Sequence, residues 1–322
     1  MADYKTIKGT KIQNYTTDPD NPLTGQVWYN ETDQVLKVST GPIVGAWATG
    51  NDMNTARGDL AGAGTQTSAL GFGGQGDVPT VTGETESYNG TSWTEVNDLN
   101  TTRTSLAGTG ADNTSALGFG GRFAGPTFAD QALTESWNGT SWTEVNDLNT
   151  ARNALAGAGT QTAALAFGGP SSALTESWNG TSWTEVNDLN TARYGLGSAG
   201  IQTAALAFGG APTTNVTESW NGTSWTEVND LNTSREFLTG TGALNTAALA
   251  FGGRPTPTVS ALTESWDGTS WTEVNDLNTA RIDLAGAGTQ TSALAFGGQT
   301  PSVTAATEEF SETGGTKTIT SS

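Results

Sequence analysis

Between Arg152 and Val186, apolar and small residues fall in short runs broken by glycine and polar turns. The pattern predicts a strand near Leu155–Gly159, a Gly-Thr-Gln-Thr turn, and a second strand over Ala163–Phe167. The two-residue side-chain period of a strand puts Leu165 and Phe167 on one face and Ala164 and Ala166 on the other. Large side chains on one face and small ones on the other suit a sheet covered on both sides by neighbouring sheets. Leu174–Trp178 and Ser182–Val186 supply a third and fourth strand, joined at Asn179-Gly180. A type I′ hairpin turn, with positive φ at both central residues, is expected there. The same position recurs as Asn89-Gly90, Asn138-Gly139, Asn221-Gly222 and Asp267-Gly268.

This four-strand unit repeats. SWTEVNDLNT occurs five times, with its tryptophan at Trp93, Trp142, Trp183, Trp225 and Trp271, and an arginine follows ten residues later at Arg103, Arg152, Arg193, Arg235 and Arg281. A degenerate sixth copy opens the array, with Trp47 ten residues before Arg57. Six Gly-Gly pairs and six aromatics in the third-strand position, from Tyr88 to Phe310, keep the same phase, with a mean period of about 45 residues. Four-stranded units of that length point to an all-β propeller of six blades. The array starts on a fourth-strand tryptophan, Trp47, and ends on a third-strand aromatic, Phe310. One blade is therefore expected to combine an N-terminal outer strand near 44–50 with three C-terminal strands from 282–312, which removes the free edges. The domain reading is an N-terminal attachment segment (1–43), the propeller (44–312) and a C-terminal tail (313–322), whose TGGTKTITSS is either flexible or one added strand.

Composition narrows the chemistry. The 322 residues include no His and no Cys, so Ser-His-Asp and Cys-His triads, disulfides and the usual zinc and haem ligand sets are excluded. With 13 Lys and Arg against 32 Asp and Glu the formal charge is -19, opposed to nucleic-acid binding and to anionic membranes. No apolar run approaches the roughly 20 residues of a membrane span, and MADYKTIKGTKIQNYTT lacks the apolar core of a secretory signal. No membrane insertion, no metal and no cofactor are expected.

The repeated landmarks resemble the kelch repeat: Gly-Gly closing the second strand, an aromatic in the third, tryptophan in the fourth and arginine before the next unit. The resemblance covers about residues 45–312 and departs from kelch in carrying Trp where Tyr is more usual. It implies a kelch-like propeller. The stretch NPLTGQVWYNETDQVLKVST (21–40) resembles a short segment near the start of bacteriophage virion proteins, particularly tail-fibre and other appendage proteins. The WNGTSWTEVNDLNTAR arrays are similar to kelch-like proteins of aquatic phages. These resemblances imply a non-enzymatic virion structural protein, located on the extracellular particle. Its N-terminal segment would dock on other virion proteins, and its propeller would contact a host-surface glycan or protein. Self-association into a homo-oligomer is a further partner reading. Two strands, 26–30 and 34–38, are predicted in the N-terminal segment, and Val27, Trp28, Tyr29 and Leu36 are the docking candidates.

Residues repeated in every unit, such as Glu185, Asp188 and Arg193, read as inter-blade bonding and turn capping, and the repeated tryptophans as packing. Catalytic carboxylates need unlike environments, which sixfold repetition does not supply. The Asn-Gly-Thr sequons are accounted for by the turn they form. Information is expected where copies differ, in the segments after Gly-Gly, whose unusual residues are Asp77, Arg122, Phe123, Phe128, Asp130 and Arg254. Relaxed drift in these loops is the plain alternative. Two other functions share the fold: a cellular or secreted adhesin-like interaction protein, and a glycan-acting enzyme using unique carboxylates such as Asp77 and Asp130. A galactose-oxidase-like copper site lacks its His and Cys ligands here.

Overall fold

A computed structural model of the chain describes residues 12–17, 26–39, 44–77, 80–123, 129–313 and 316–318. The chain divides into two compact units, Met1–Gly45 with Glu312–Ser322, and Ala46–Ser311.

In the first unit, β1 (Gln13–Tyr15) runs parallel to β2 (Val27–Asn30), and β2 pairs antiparallel with β3 (Val35–Ser39). The turn between β2 and β3 is held by the Asn30 side-chain oxygen, which accepts the Asp33 N–H at 2.9 Å. The strand Thr316–Thr318 adds to the other edge of β3, so residues after the repeats contribute an added strand to this sheet.

The second unit is built from repeated four-stranded sheets, each ordered as the chain runs. After β4 (Val44–Thr49) come β5 (Ala61–Thr65), β6 (Ser68–Phe72), β7 (Thr85–Tyr88) and β8 (Trp93–Val96). The next sheet holds β9 (Ala107–Asp112), β10 (Ser115–Phe119), β11 (Thr134–Trp137) and β12 (Trp142–Val145). Then follow β13 (Ala156–Gly159), β14 (Ala164–Phe167), β15 (Thr175–Trp178) and β16 (Trp183–Val186). A fourth set is β17 (Gly197–Ile201), β18 (Ala204–Phe208), β19 (Thr217–Trp220) and β20 (Trp225–Val228). The fifth is β21 (Thr239–Leu244), β22 (Ala247–Phe251), β23 (Thr263–Trp266) and β24 (Trp271–Val274). The last, β25 (Ala285–Gly288), β26 (Ser292–Phe296) and β27 (Thr307–Thr313), takes β4 as its fourth strand, and β28 (Thr316–Thr318) follows it in sequence. The fold is all-β, and its repeated four-stranded sheets are consistent with a β-propeller.

Sheets stack large on small. Leu165 and Phe167 of β14 pack against Ala205 and Ala207 of β18 and against Trp220 and Trp225, whereas Ala164 and Ala166 receive Leu117 and Phe119 of β10. The Phe167 and Trp225 rings lie 4.9 Å apart, edge to face. Each buried aromatic of this kind contributes roughly 1.5–3 kcal/mol of apolar burial. Glycine on the innermost strands makes the fit: a Cβ on Gly157 would come within 2.6 Å of Phe119 Cζ. The indole N–H groups tie the same neighbours together, Trp183 Nε1 donating to Thr134 Oγ1 at 3.0 Å and Trp47 Nε1 to Thr263 Oγ1 at 3.1 Å. Trp47 and Phe310 share one cluster, their rings 5.2 Å apart.

The repeated arginines are buried. Arg193 Nη2 meets Glu218 Oε1 at 2.9 Å, and Nη1 donates to the carbonyls of Gly209 at 2.8 Å and Val216 at 2.7 Å. Glu218 Oε2 accepts both the backbone and the side-chain N–H of Asn190, at 2.7 and 2.8 Å. Equivalent pairs are Arg57–Glu86, Arg103–Glu135, Arg152–Glu176, Arg235–Glu264 and Arg281–Glu308, at 2.8–2.9 Å. Burial draws each of these arginines below the ordinary guanidinium range, and its glutamate opposes the shift. Asp188, just past β16, does not cap a turn as expected: its side chain accepts the N–H of Thr175 at the start of the neighbouring strand β15, at 3.0 Å.

The Asn-Gly turn differs from the expected type I′. Trp178 pairs with Trp183, leaving a four-residue loop in which Gly180 has φ of 91° while Asn179 is not in the left-handed region. The Asn179 side-chain oxygen accepts the N–H groups of Thr181 and Ser182, both at 2.9 Å. An Asx-type bond that satisfies two backbone donors outweighs the two-residue turn. Asp267 repeats the arrangement at 2.8 Å.

Candidate functional site at the channel mouth

Between each repeated arginine and the leucine that opens the next sheet lie two residues that differ from copy to copy. They are Gly58-Asp59, Thr104-Ser105, Asn153-Ala154, Tyr194-Gly195, Glu236-Phe237 and Ile282-Asp283. The second member of every pair has φ between 46° and 56°. Glycine adopts this region most readily and aspartate tolerates it, yet serine, alanine and phenylalanine also occupy it here, so five of the six positions carry a side chain.

Backbone bonding holds them there. Asp59 N–H donates to the Asp283 carbonyl at 2.9 Å, Ser105 to Asp59 at 2.9 Å and Ala154 to Ser105 at 2.8 Å. Gly195 donates to Ala154 at 2.8 Å, Phe237 to Gly195 at 2.7 Å and Asp283 to Phe237 at 3.1 Å. These residues open a channel of about 210 Å³, lined along its length by β5, β9, β13, β17, β21 and β25.

The first member of most pairs bridges to the residue just after Gly-Gly: Gly58 to Gln75, Thr104 to Arg122, Tyr194 to Ala211, Glu236 to Arg254 and Ile282 to Gln299. Two kinds of variable connection therefore meet at one end of the sheets, around the channel.

The mouth is chemically lopsided. Asp59 accepts hydrogen bonds from Gln75 Nε2 at 2.7 Å and Ser105 Oγ at 3.1 Å. Among the described residues, nothing donates a hydrogen bond to the carboxylate of Asp283. Burial raises the Asp59 carboxyl, opposed by those donors and by Arg122. Burial and then the charge of Asp59 push Asp283 well above the usual carboxylate range, against the pull of Arg254 and Arg122. Arg254 itself grips Glu236 Oε1 through Nε at 3.1 Å and Nη2 at 2.7 Å, and lies 5.3 Å from the centre of the Phe237 ring. Phe237 also meets Tyr194 edge to face at 5.9 Å. Its ring covers Gly195, where a Cβ would sit 2.7 Å from Phe237 Cδ1.

Of the residues expected from sequence to recognise a partner, Arg122 and Arg254 act at this mouth through the charges just described. Asp130 is exposed and accepts a bond from Asn153 Nδ2 at 2.6 Å, and Asp77 is exposed and accepts the Val303 N–H at 2.9 Å. Neither lines the channel. Phe123 is half-buried, and Phe128 lies outside the described residues. In the first unit Val27, Tyr29 and Leu36 are half-buried, but Trp28 is 0% exposed. Trp28 therefore does not offer its ring to a partner, because an indole in the middle of so small a sheet is the largest apolar surface available to bury.

Asp59, Asp283, Glu236, Phe237 and Tyr194 were not singled out by the sequence. The available signal was the variable pair inside an otherwise constant Arg-x-x-Leu. Among the described residues no group of three or more acidic side chains is placed to hold a metal ion. The arrangement can bind charged or aromatic partners and can hold a proton between unlike carboxylates. Compared with known families and curated proteins, the sequence matches no family model and no curated protein.

Proposed function

We propose that the six repeat sheets close into a six-bladed, kelch-like β-propeller that serves as a non-enzymatic recognition module of a bacteriophage particle, probing its partner with the channel mouth. The observation that carries the closure is the cycle of backbone hydrogen bonds through Asp59, Ser105, Ala154, Gly195, Phe237 and Asp283, which returns to its starting residue. A cycle of that kind requires the first and last sheets to be neighbours, and β4 beside β27 supplies the clasp. Recognition is supported by where variation falls: a constant scaffold carries side chains at strained positions around one opening. The N-terminal sheet is the attachment element, with Val27, Tyr29 and Leu36 as its contact candidates, and the likeness of segment 21–40 to virion proteins supports a place on the particle.

Mass spectrometry and immunogold imaging of purified particles test this reading, which expects the chain on an external appendage. Particles without it would leave the cellular adhesin-like alternative. A second reading is favoured by one observation: Asp59 and Asp283 have unlike surroundings, as a catalytic acid and base require. Turnover of a glycan panel that Asp283→Asn abolishes would establish that reading in place of simple binding.

A further inference from the structure

We propose that the four Asn-Gly turns, at Asn89, Asn138, Asn179 and Asn221, are sites of self-modification, where the folded chain converts each asparagine to aspartate and so reaches the form that Asp267 already has in the fifth copy. The inference stands apart from whatever the channel mouth binds.

The reaction needs no partner but water. The backbone nitrogen of Gly180 bonds to Cγ of Asn179 and loses its proton to solvent. The Cγ–Nδ2 bond breaks, and the leaving amine takes up a proton and departs as ammonia. Water then opens the five-membered imide at the Cγ–N bond, which restores the main chain and leaves a carboxylate.

The turn favours each step. All four asparagines are exposed. Attack requires a free, unshielded nitrogen. Among the described residues the N–H groups of Gly90, Gly139, Gly180 and Gly222 make no hydrogen bond, and glycine has no Cβ beside its nitrogen. A φ of 87–92° at these positions favours glycine over other residues. The leaving group is loosely held. Nδ2 of Asn138 and of Asn221 reaches a serine Oγ at 3.4 and 3.5 Å, and Nδ2 of Asn89 and of Asn179 bonds to none of the described residues. Negative charge collects on Oδ1 as nitrogen adds to Cγ, and two N–H donors already point at that oxygen, from Thr181 and Ser182 at 2.9 Å for Asn179. The other three asparagines hold the same pair of donors, all at 2.9 Å.

The product fits the same turn. Asp267 accepts the N–H groups of Ser270 and Thr269, both at 2.8 Å, and these bonds hold its carboxyl below the ordinary aspartate range. Trp266 and Trp271 pair as Trp178 and Trp183 do. Opening the imide at its other carbonyl would give isoaspartate, routing the main chain through Cβ and Cγ and lengthening the loop between the paired tryptophans. The folded turn therefore selects aspartate, and each conversion adds one negative charge there.

The test incubates the full-length protein, folded or in urea, at mildly alkaline pH and body temperature, and follows amide loss by peptide mass spectrometry. Cleavage after arginine places each of the four asparagines in its own peptide. Electron-transfer dissociation separates aspartate from isoaspartate, with the Asn179→Asp protein as reference. Conversion in the folded chain is expected within about tenfold of the unfolded rate, because the two donors offset the freedom a fixed turn removes. Aspartate is expected as the main product in the folded chain and as a smaller share in urea. Asn97, exposed but followed by Asp98, should remain an amide. The inference would be overturned by a folded chain that keeps all four amides while the unfolded chain converts. Isoaspartate predominating in the folded chain, or Asn97 converting as fast as Asn179, would overturn it equally.

Discussion

Replacing Arg193 with methionine probes the buried pairs most sharply. The arginine and Glu218 are both 0% exposed, and Arg193→Met leaves the carboxylate without its counter-ion. Asn190 still donates two hydrogen bonds to Glu218, so part of the charge remains solvated by the protein. The carbonyls of Gly209 and Val216 lose their shared donor as well. Removing one member of a buried pair typically costs about 3–5 kcal/mol. That is a large share of the roughly 5–15 kcal/mol by which a domain is stable. Urea unfolding followed by tryptophan emission reads the loss. The double variant Arg193→Met/Glu218→Met removes both charges, and it should be more stable than the sum of the single losses predicts, since no uncompensated charge remains. A single-variant loss below about 1 kcal/mol, or strictly additive losses, would show that these pairs are not the buried charges described here.

Other outcomes follow from the same packing. Phe167→Ala, at a side chain with 0% exposure that fills the face of β18, should cost about 3–5 kcal/mol by the same assay. Gly157→Ala should destabilise by about 1–3 kcal/mol because its methyl meets Phe119, and a neutral effect would contradict the tight sheet-to-sheet fit. Asn179→Asp should unfold at the same urea midpoint as the parent, as Asp267 does the same work in another repeat, whereas Asn179→Ala should lose about 1 kcal/mol. Asp283 has a folded-state pKa above its unfolded value, so its contribution is full below the ordinary aspartate range and is lost as pH rises through the raised value. Asp283→Asn should therefore raise the melting temperature at neutral pH and flatten its dependence on pH above the ordinary aspartate range. Parallel melting curves for the two proteins would refute that assignment.

The repeated elements were legible because their physics is local. Strand limits in the Arg152–Val186 unit fall within a residue of those expected, since alternation of Leu165 and Phe167 with Ala164 and Ala166 reports directly on two covered faces. The Asn179-Gly180 turn was located but given the wrong form, because its Oδ1 competes for backbone donors in a way the dipeptide alone does not reveal. Glu218 and its equivalents went unremarked, as a glutamate in Thr-Glu-Ser looks like a solvent-facing strand residue until Arg193 arrives from the preceding connection. The mouth was least visible. Asp59 and Asp283 are 224 positions apart, and only the arrangement of sheets makes them neighbours.

That arrangement can be measured directly by pulsed electron spin resonance. The chain has no Cys, so spin labels can be placed cleanly on exposed fourth-strand positions with Glu95→Cys paired in turn with Glu185→Cys, Glu227→Cys or Glu273→Cys. These sites lie on the first, third, fourth and fifth repeat sheets. A closed ring of six predicts similar first-to-third and first-to-fifth distances, with first-to-fourth the longest. Distances that grow steadily from Glu185 through Glu227 to Glu273 would mean an open stack and would contradict the ring.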